Sequence, residues 1–96
     1  MLESQFQKRL ISKIKSRFTD CIVLKNDPTY IQGIPDLLVL YGSKWAALEV
    51  KNDEKAHVQP NQRYYVAQMD EMSFARFVHP QNEEEVLDEL EKILSP

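Results

Sequence analysis

The stretch Asp36-Leu-Leu-Val-Leu-Tyr41-Gly42-Ser43-Lys44-Trp-Ala-Ala-Leu-Glu-Val-Lys51 decides the fold. Two apolar runs flank a Gly-Ser pair, which is the pattern of a β-hairpin. The runs are apolar at successive positions rather than alternate ones. Strands of that kind are covered on both faces, so the sheet is expected to carry helices on each side. With Gly42-Ser43 as a two-residue turn, paired residues sum to 85, so Tyr41 faces Lys44, Leu40 faces Trp45 and Asp36 faces Glu49. Directly opposed Cβ atoms lie about 4.5–5.5 Å apart on one face. Lys51, two residues beyond Glu49, shares that face. A cluster of two carboxylates and one ammonium is thus expected on an otherwise apolar hairpin.

Upstream, Leu2, Phe6, Leu10, Ile14 and Phe18 recur every four residues, with Ile11 filling in, which predicts a helix over about 2–18. In helical projection Glu3 falls between Leu10 and Ile14, in the middle of the apolar face. A solvated first-turn acid that favours the helix dipole is the simpler reading of Glu3. Cys21 to Leu24 reads as a short strand, and Asn26-Asp27-Pro28-Thr29 as turn chemistry. Downstream, Asn52 to Lys55 is a polar loop, and Pro60 opens a helix that runs to about Met72. Phe74 to Val78 predicts a strand. Glu83 to Leu94 predicts an amphipathic helix with Val86, Leu87, Leu90, Ile93 and Leu94 as its stripe. The expected order is αβββαβα, a single α/β domain over residues 1–96 with a mixed sheet flanked by helices.

Composition narrows the chemistry. The 96 residues include only two glycines, which excludes the glycine-rich phosphate cradles and with them a nucleotide cofactor. One cysteine and two histidines cannot build a Cys/His zinc site. Cys21 has no disulfide partner in the chain, which suits a reducing cytoplasm; among apolar neighbours it reads as a buried small hydrophobe. Neither a signal peptide nor a membrane span is expected. The formal charge is −3, yet unevenly spread: residues 1–19 carry +4, residues 20–81 carry −2 and residues 82–96 carry −5. The basic first segment and the acidic last one are expected to mark different surfaces.

Carboxylate is what remains plentiful, and Asp36 with Glu49 is its most informative placement. Like charges opposed across a sheet destabilise it, and partial burial raises the cost unless something neutralises them. A hard divalent cation does so, and oxygen-only ligation suits Mg²⁺, with Mn²⁺ as a substitute. The competing structural reading is an ion-pair cluster in which Lys51 satisfies both acids. Another is that the strand ends before Asp36 and leaves it solvated.

Gly33-Ile34-Pro35-Asp36-Leu37, thirteen residues from Asp36 to Glu49, and then Glu49-Val50-Lys51 together resemble the PD-(D/E)XK nuclease signature. The leading Gly-x-Pro-Asp-Leu, the first-helix glutamate and the later Gln62 are similar to the VRR-NUC branch, in particular to its small stand-alone, phage-type members. The αβββαβα order is the restriction-endonuclease-like core of that superfamily, so the resemblance covers nearly the whole chain. It implies a Mg²⁺-dependent endonuclease acting on DNA. Asp36 and Glu49 match the metal-binding acids, Glu3 the first-helix acid and Lys51 the catalytic lysine. The Val50 carbonyl would be a further ligand, and Gln62 matches a glutamine of the following helix. Gln62 as a capping or surface amide is an equally simple reading. The resemblance further implies a homodimer acting on branched DNA such as a Holliday junction, in the cytoplasm of a host cell if the chain is phage-encoded.

The chemistry also fits the residue types on their own. A cation held by Asp36 and Glu49 would lower the pKa of a bound water and polarise a phosphate. Lys51 beside it would orient the water and stabilise developing charge. Lys8, Lys13, Lys44, Lys55 and Arg63 are candidates for phosphate contacts. His57 and His79 read as solvated and structural, and Trp45 as packing against the first helix. Two other classes compete. One is a catalytically silent DNA-binding or assembly subunit that keeps the fold; the other is a regulatory module whose acidic last helix binds a basic partner.

Overall fold

The computed structural model describes residues 1–95. Its elements run α1 (Glu3–Arg17), β1 (Ile22–Lys25), β2 (Leu37–Tyr41), β3 (Lys44–Val50), α2 (Pro60–Met72), β4 (Ala75–Val78) and α3 (Glu83–Leu94). This is the expected order, and the chain is an α/β fold with a four-stranded mixed sheet. Strand order is β1-β2-β3-β4. The first two pairings are antiparallel and β3 with β4 is parallel. The parallel pair needs a crossover, and α2 supplies it. No helix among the described residues is long and apolar enough to cross a membrane.

The hairpin register holds. Tyr41 pairs with Lys44, Leu40 with Trp45 and so on to Leu37 with Leu48. Gly42 has φ +61°, the left-handed conformation that lets a two-residue loop follow the strand twist. The ladder stops one step before Asp36. Val50 would next pair with Pro35, but its N–H donates instead to Asp36 Oδ2 at 2.9 Å. Pro35 has no N–H to return, and its carbonyl accepts from Asn26 Nδ2 at 2.8 Å. Asp36 therefore stands just past the strand end with its side chain, not its backbone, completing the edge.

Alternate residues of β3 face two different layers. Ala46, Leu48 and Val50 join the main core with Phe6, Leu10 and Ile14 of α1 and Val86, Leu87 and Leu90 of α3. Ala47 joins a smaller cluster with Val66 of α2, and Trp45, Met69 and Phe77 pack against it. Trp45 thus lies against α2, not α1. Both faces of the hairpin are apolar, so nothing local distinguishes which helix covers which. Cys21 is half-buried against the main core, and burial pushes its thiol up.

The basic and acidic segments do not form separate surfaces, because α1 and α3 lie side by side. Lys13 Nζ meets Glu83 Oε1 at 2.8 Å and Glu84 Oε1 at 3.4 Å. Arg9 approaches Glu83 at 3.6 Å, and Arg17 pairs with Asp88 and Glu91. Arg76 of β4 pairs with Glu89 and Asp70. The acidic face of α3 is largely spent inside the fold, which argues against its use as a docking surface for a basic partner.

Candidate active site

The C-terminal end of β3 carries Glu49 and Lys51 toward the α2 layer, with Asp36 arriving from the start of β2 beside them. Glu49 and Lys51 are buried, at 3% and 9% exposure. Such burial of charged groups demands partners, and α2 provides one residue that serves several. Gln62 Nε2 donates to Glu49 Oε2 at 3.1 Å. Its Oε1 accepts from Lys51 Nζ at 2.9 Å and from the Gln59 N–H at 2.9 Å. One amide therefore caps α2 and also contacts Glu49 and Lys51, which ties the first turn of α2 to the end of β3. Lys51 also donates to the His57 carbonyl at 3.0 Å and lies 3.8 Å from Glu49 Oε2. Its ammonium is aimed by three oxygens at once.

The acids are under-neutralised. Burial is the main cause that pushes the Glu49 carboxyl up to about 8; the Asp36 charge adds to it, and Lys51 opposes it. Asp36 is raised by burial as well, but the Val50 N–H and Glu49 hold it down. Asp36 raises the Glu49 carboxyl while Glu49 holds Asp36 down, so of the two it is Glu49 that keeps a proton more readily. Glu49 Oε1 is buried with no hydrogen-bond partner. Glu3 joins this field from the first turn of α1: its carboxyl is raised by partial burial and by Asp36, and lowered by Lys51. Three acids thus feel one lysine. The ion-pair reading, in which Lys51 satisfies both strand acids, does not describe the site.

The donor set fits a hard cation. It offers carboxylate oxygens on adjacent strands, and one of them lacks any protein donor. Among the described residues no three His, Cys, Asp or Glu side chains converge as a complete ligand set. A cation here would draw on Asp36, Glu49, backbone oxygen and water. The Val50 peptide is at hand, since its N–H already meets Asp36.

Gly33, the glycine of the Gly-x-Pro-Asp-Leu motif, has a steric role. It has φ +89°, and a Cβ there would come 2.7 Å from Asn61, the neighbour of Gln62. The loop before Asp36 can press onto α2 only because position 33 has no side chain. Sequence reasoning also missed the His57 carbonyl and Asn26. A polar loop between β3 and α2 signals backbone acceptors without saying which one turns inward.

The five candidate phosphate contacts separate. Lys55 lies in the loop whose His57 carbonyl holds Lys51, and Arg63 follows Gln62 on α2; both are exposed. Lys8 is exposed on α1, on the far side of the helix from Glu3 by helical projection. Lys13 is engaged with Glu83 and Glu84. Lys44 donates to the Ser95 carbonyl at 2.8 Å and begins β3, roughly 17 Å of strand from Glu49. His79 is structural, its Nδ1 accepting from the Gln81 N–H. Compared with known protein families, curated proteins and solved structures, the chain finds no match.

Proposed function

We propose that this chain is a divalent-metal-dependent endodeoxyribonuclease of the PD-(D/E)XK kind, similar to the VRR-NUC branch. One observation carries the reading: Glu49 is buried beside Asp36 with an oxygen no protein group satisfies, and a single lysine serves all three acids. A fold gains nothing from such a cluster unless a cation completes it. Asp36 and Glu49 would hold Mg²⁺ or Mn²⁺, with the Val50 carbonyl beside them and Glu3 acting through water. The bound ion would supply Lewis acidity toward a phosphate and a more acidic water.

The remaining roles belong to the chain's own groups. Lys51, held by Gln62 and the His57 carbonyl, directs its ammonium at the charge that develops on the phosphoryl oxygens. Gln62 is a positioning residue that fixes both Lys51 and Glu49. Lys55 and Arg63 flank this end of the sheet and would hold neighbouring phosphates. A chain this small offers few such contacts, which favours a homodimer with two sites on a branched substrate.

The test is cleavage of labelled duplex, flap and four-way-junction DNA with Mg²⁺ or Mn²⁺, beside Asp36→Ala and Lys51→Ala. Cleavage that disappears in both variants supports the reading. Cleavage that persists unchanged in both sinks it.

A further inference from the structure

Next to the acid–lysine cluster, the loop before β2 and the first turn of α2 enclose a cleft of about 640 Å³. Thr29, Gln32, Gly33, Gln59, Asn61 and Gln62 line it. It has the size of a small-molecule site. Its chemistry is unusual for a surface beside three acids: the polar walls are carboxamides and a hydroxyl, with no charged side chain. Gln62 belongs to both places. Its amide is committed to Glu49, Lys51 and the Gln59 N–H, whereas Gln32 and Asn61 stand outside that network.

The cleft is built rather than incidental. The Gly33 backbone closes onto Asn61 without room for a Cβ. The start of the loop is pinned by Asp27, whose Oδ1 accepts from the Thr29 N–H at 2.8 Å and from the Thr29 hydroxyl at 2.7 Å. Carboxamides can donate to phosphate oxygens, but they lack the charge that makes Lys and Arg the main phosphate contacts. Such amides pair with groups that offer a donor and an acceptor side by side, which is what the edge of a nucleobase presents. A carboxamide pairs bidentately with N6 and N7 of adenine, whereas guanine's O6 and N7 call for the Arg or Lys that this cleft lacks.

We infer that this cleft receives the nucleobase next to the scissile phosphate, with adenine preferred, and that Gln32 and Asn61 read its edge. The inference rests on the nuclease reading: a phosphate at Asp36 and Glu49 puts the adjoining nucleotide within reach of a cleft that shares Gln62 with them. It makes the protein selective for local sequence as well as for DNA shape. Gln32 is exposed and free of the core, so its removal leaves the fold intact; Asn61 packs against Gly33 and serves as the second, independent probe.

The experiment maps cut sites in a pool of branched substrates with randomised sequence at the branch, for the full chain and for Gln32→Ala and Asn61→Ala, with the melting temperature of each variant recorded. The expected result is a preference on the order of tenfold for adenine at one position flanking the cut. That preference flattens in Gln32→Ala, and Asn61→Ala, where folded, flattens it too. A parent with no base preference beside the cut overturns the inference, and so does a preference that survives in Gln32→Ala. Those two outcomes leave the nuclease reading standing. No cleavage of any substrate by the parent protein removes both.

Discussion

Along the α1–α3 seam the cations Arg9, Lys13 and Arg17 each meet an acid of the other helix, whereas at the end of β3 three acids share Lys51. The seam is open to water except at Glu83, whose side chain is 6% exposed. Exposed pairs of this kind contribute about 0.2–1 kcal/mol each. The β3 cluster is unbalanced and its acids are raised in pKa, with Glu49 and Lys51 buried, Asp36 half-buried and Glu3 exposed. Charge serves assembly in the first region. In the second it is held at some expense to stability, as a site that waits for a cation and a phosphate would be.

The sharpest way to break this contrast is to remove charge from the cluster and follow turnover. Lys51→Ala and Asp36→Ala should each lower DNA cleavage by at least roughly 100-fold, and Asp36→Ala, which also leaves the Val50 N–H unpaired, should cost roughly 1–3 kcal/mol of stability. A loss of fewer than a few fold would put the cluster in the same class as the seam. Gly33→Ala tests the backbone that builds the site. It forces a side chain into a left-handed residue and into Asn61, so it should cost roughly 1–3 kcal/mol in urea unfolding. Cleavage should fall with it, because Gln62 moves with Asn61.

Isosteric neutralisation separates the regions by sign. Glu49→Gln should stabilise the metal-free protein by roughly 1–3 kcal/mol at pH 8 to 9 while abolishing cleavage. The pH dependence follows from the raised carboxyl. Its ordinary value is 4.5 and its folded value about 8, so the folded state binds the extra proton in that window. Stability of the metal-free parent should therefore fall as pH rises from about 4.5 to about 8, and Glu49→Gln should lack that component of the fall. Glu83→Gln should do the reverse, losing on the order of 1 kcal/mol because Lys13 and Arg9 lose their shared acid. Denaturant titrations across pH measure both. Arg17→Ala, at the exposed end of the seam, should change stability by less than about 1 kcal/mol, and less still in high salt. Lys44→Ala, at the far end of β3, should leave cleavage within about twofold of the parent, whereas Lys55→Ala and Arg63→Ala should weaken DNA binding several-fold.

Much of the site was legible before the fold was known. The Gly42-Ser43 turn set the register, and the register brought Asp36 to Glu49 within one residue of the ladder's end. The side-chain period put Lys51 beside them. Glu3 could be located because helical spacing turns it toward the sheet. Trp45 was misread because a hairpin apolar on both faces carries no mark of which helix will cover each. Lys13 reads from the sequence as a candidate phosphate contact because its partner Glu83 lies 70 positions away, and charge arithmetic along a chain has no means of showing two distant helices side by side.

By itself the sequence determined the seven elements, the hairpin register and the strand acids it opposes, because turn length, side-chain period and backbone chemistry act over a few residues. Only the tertiary structure decided that α2 covers the face bearing Glu49 and Lys51, that Gln62 reaches both, and that the Gly33 loop closes on Asn61. It also decided that the basic first helix neutralises the acidic last one. Those outcomes depend on where the β3–β4 crossover carries α2 and on how α1 and α3 share the opposite face. They are contacts through space, which local chemistry permits without specifying.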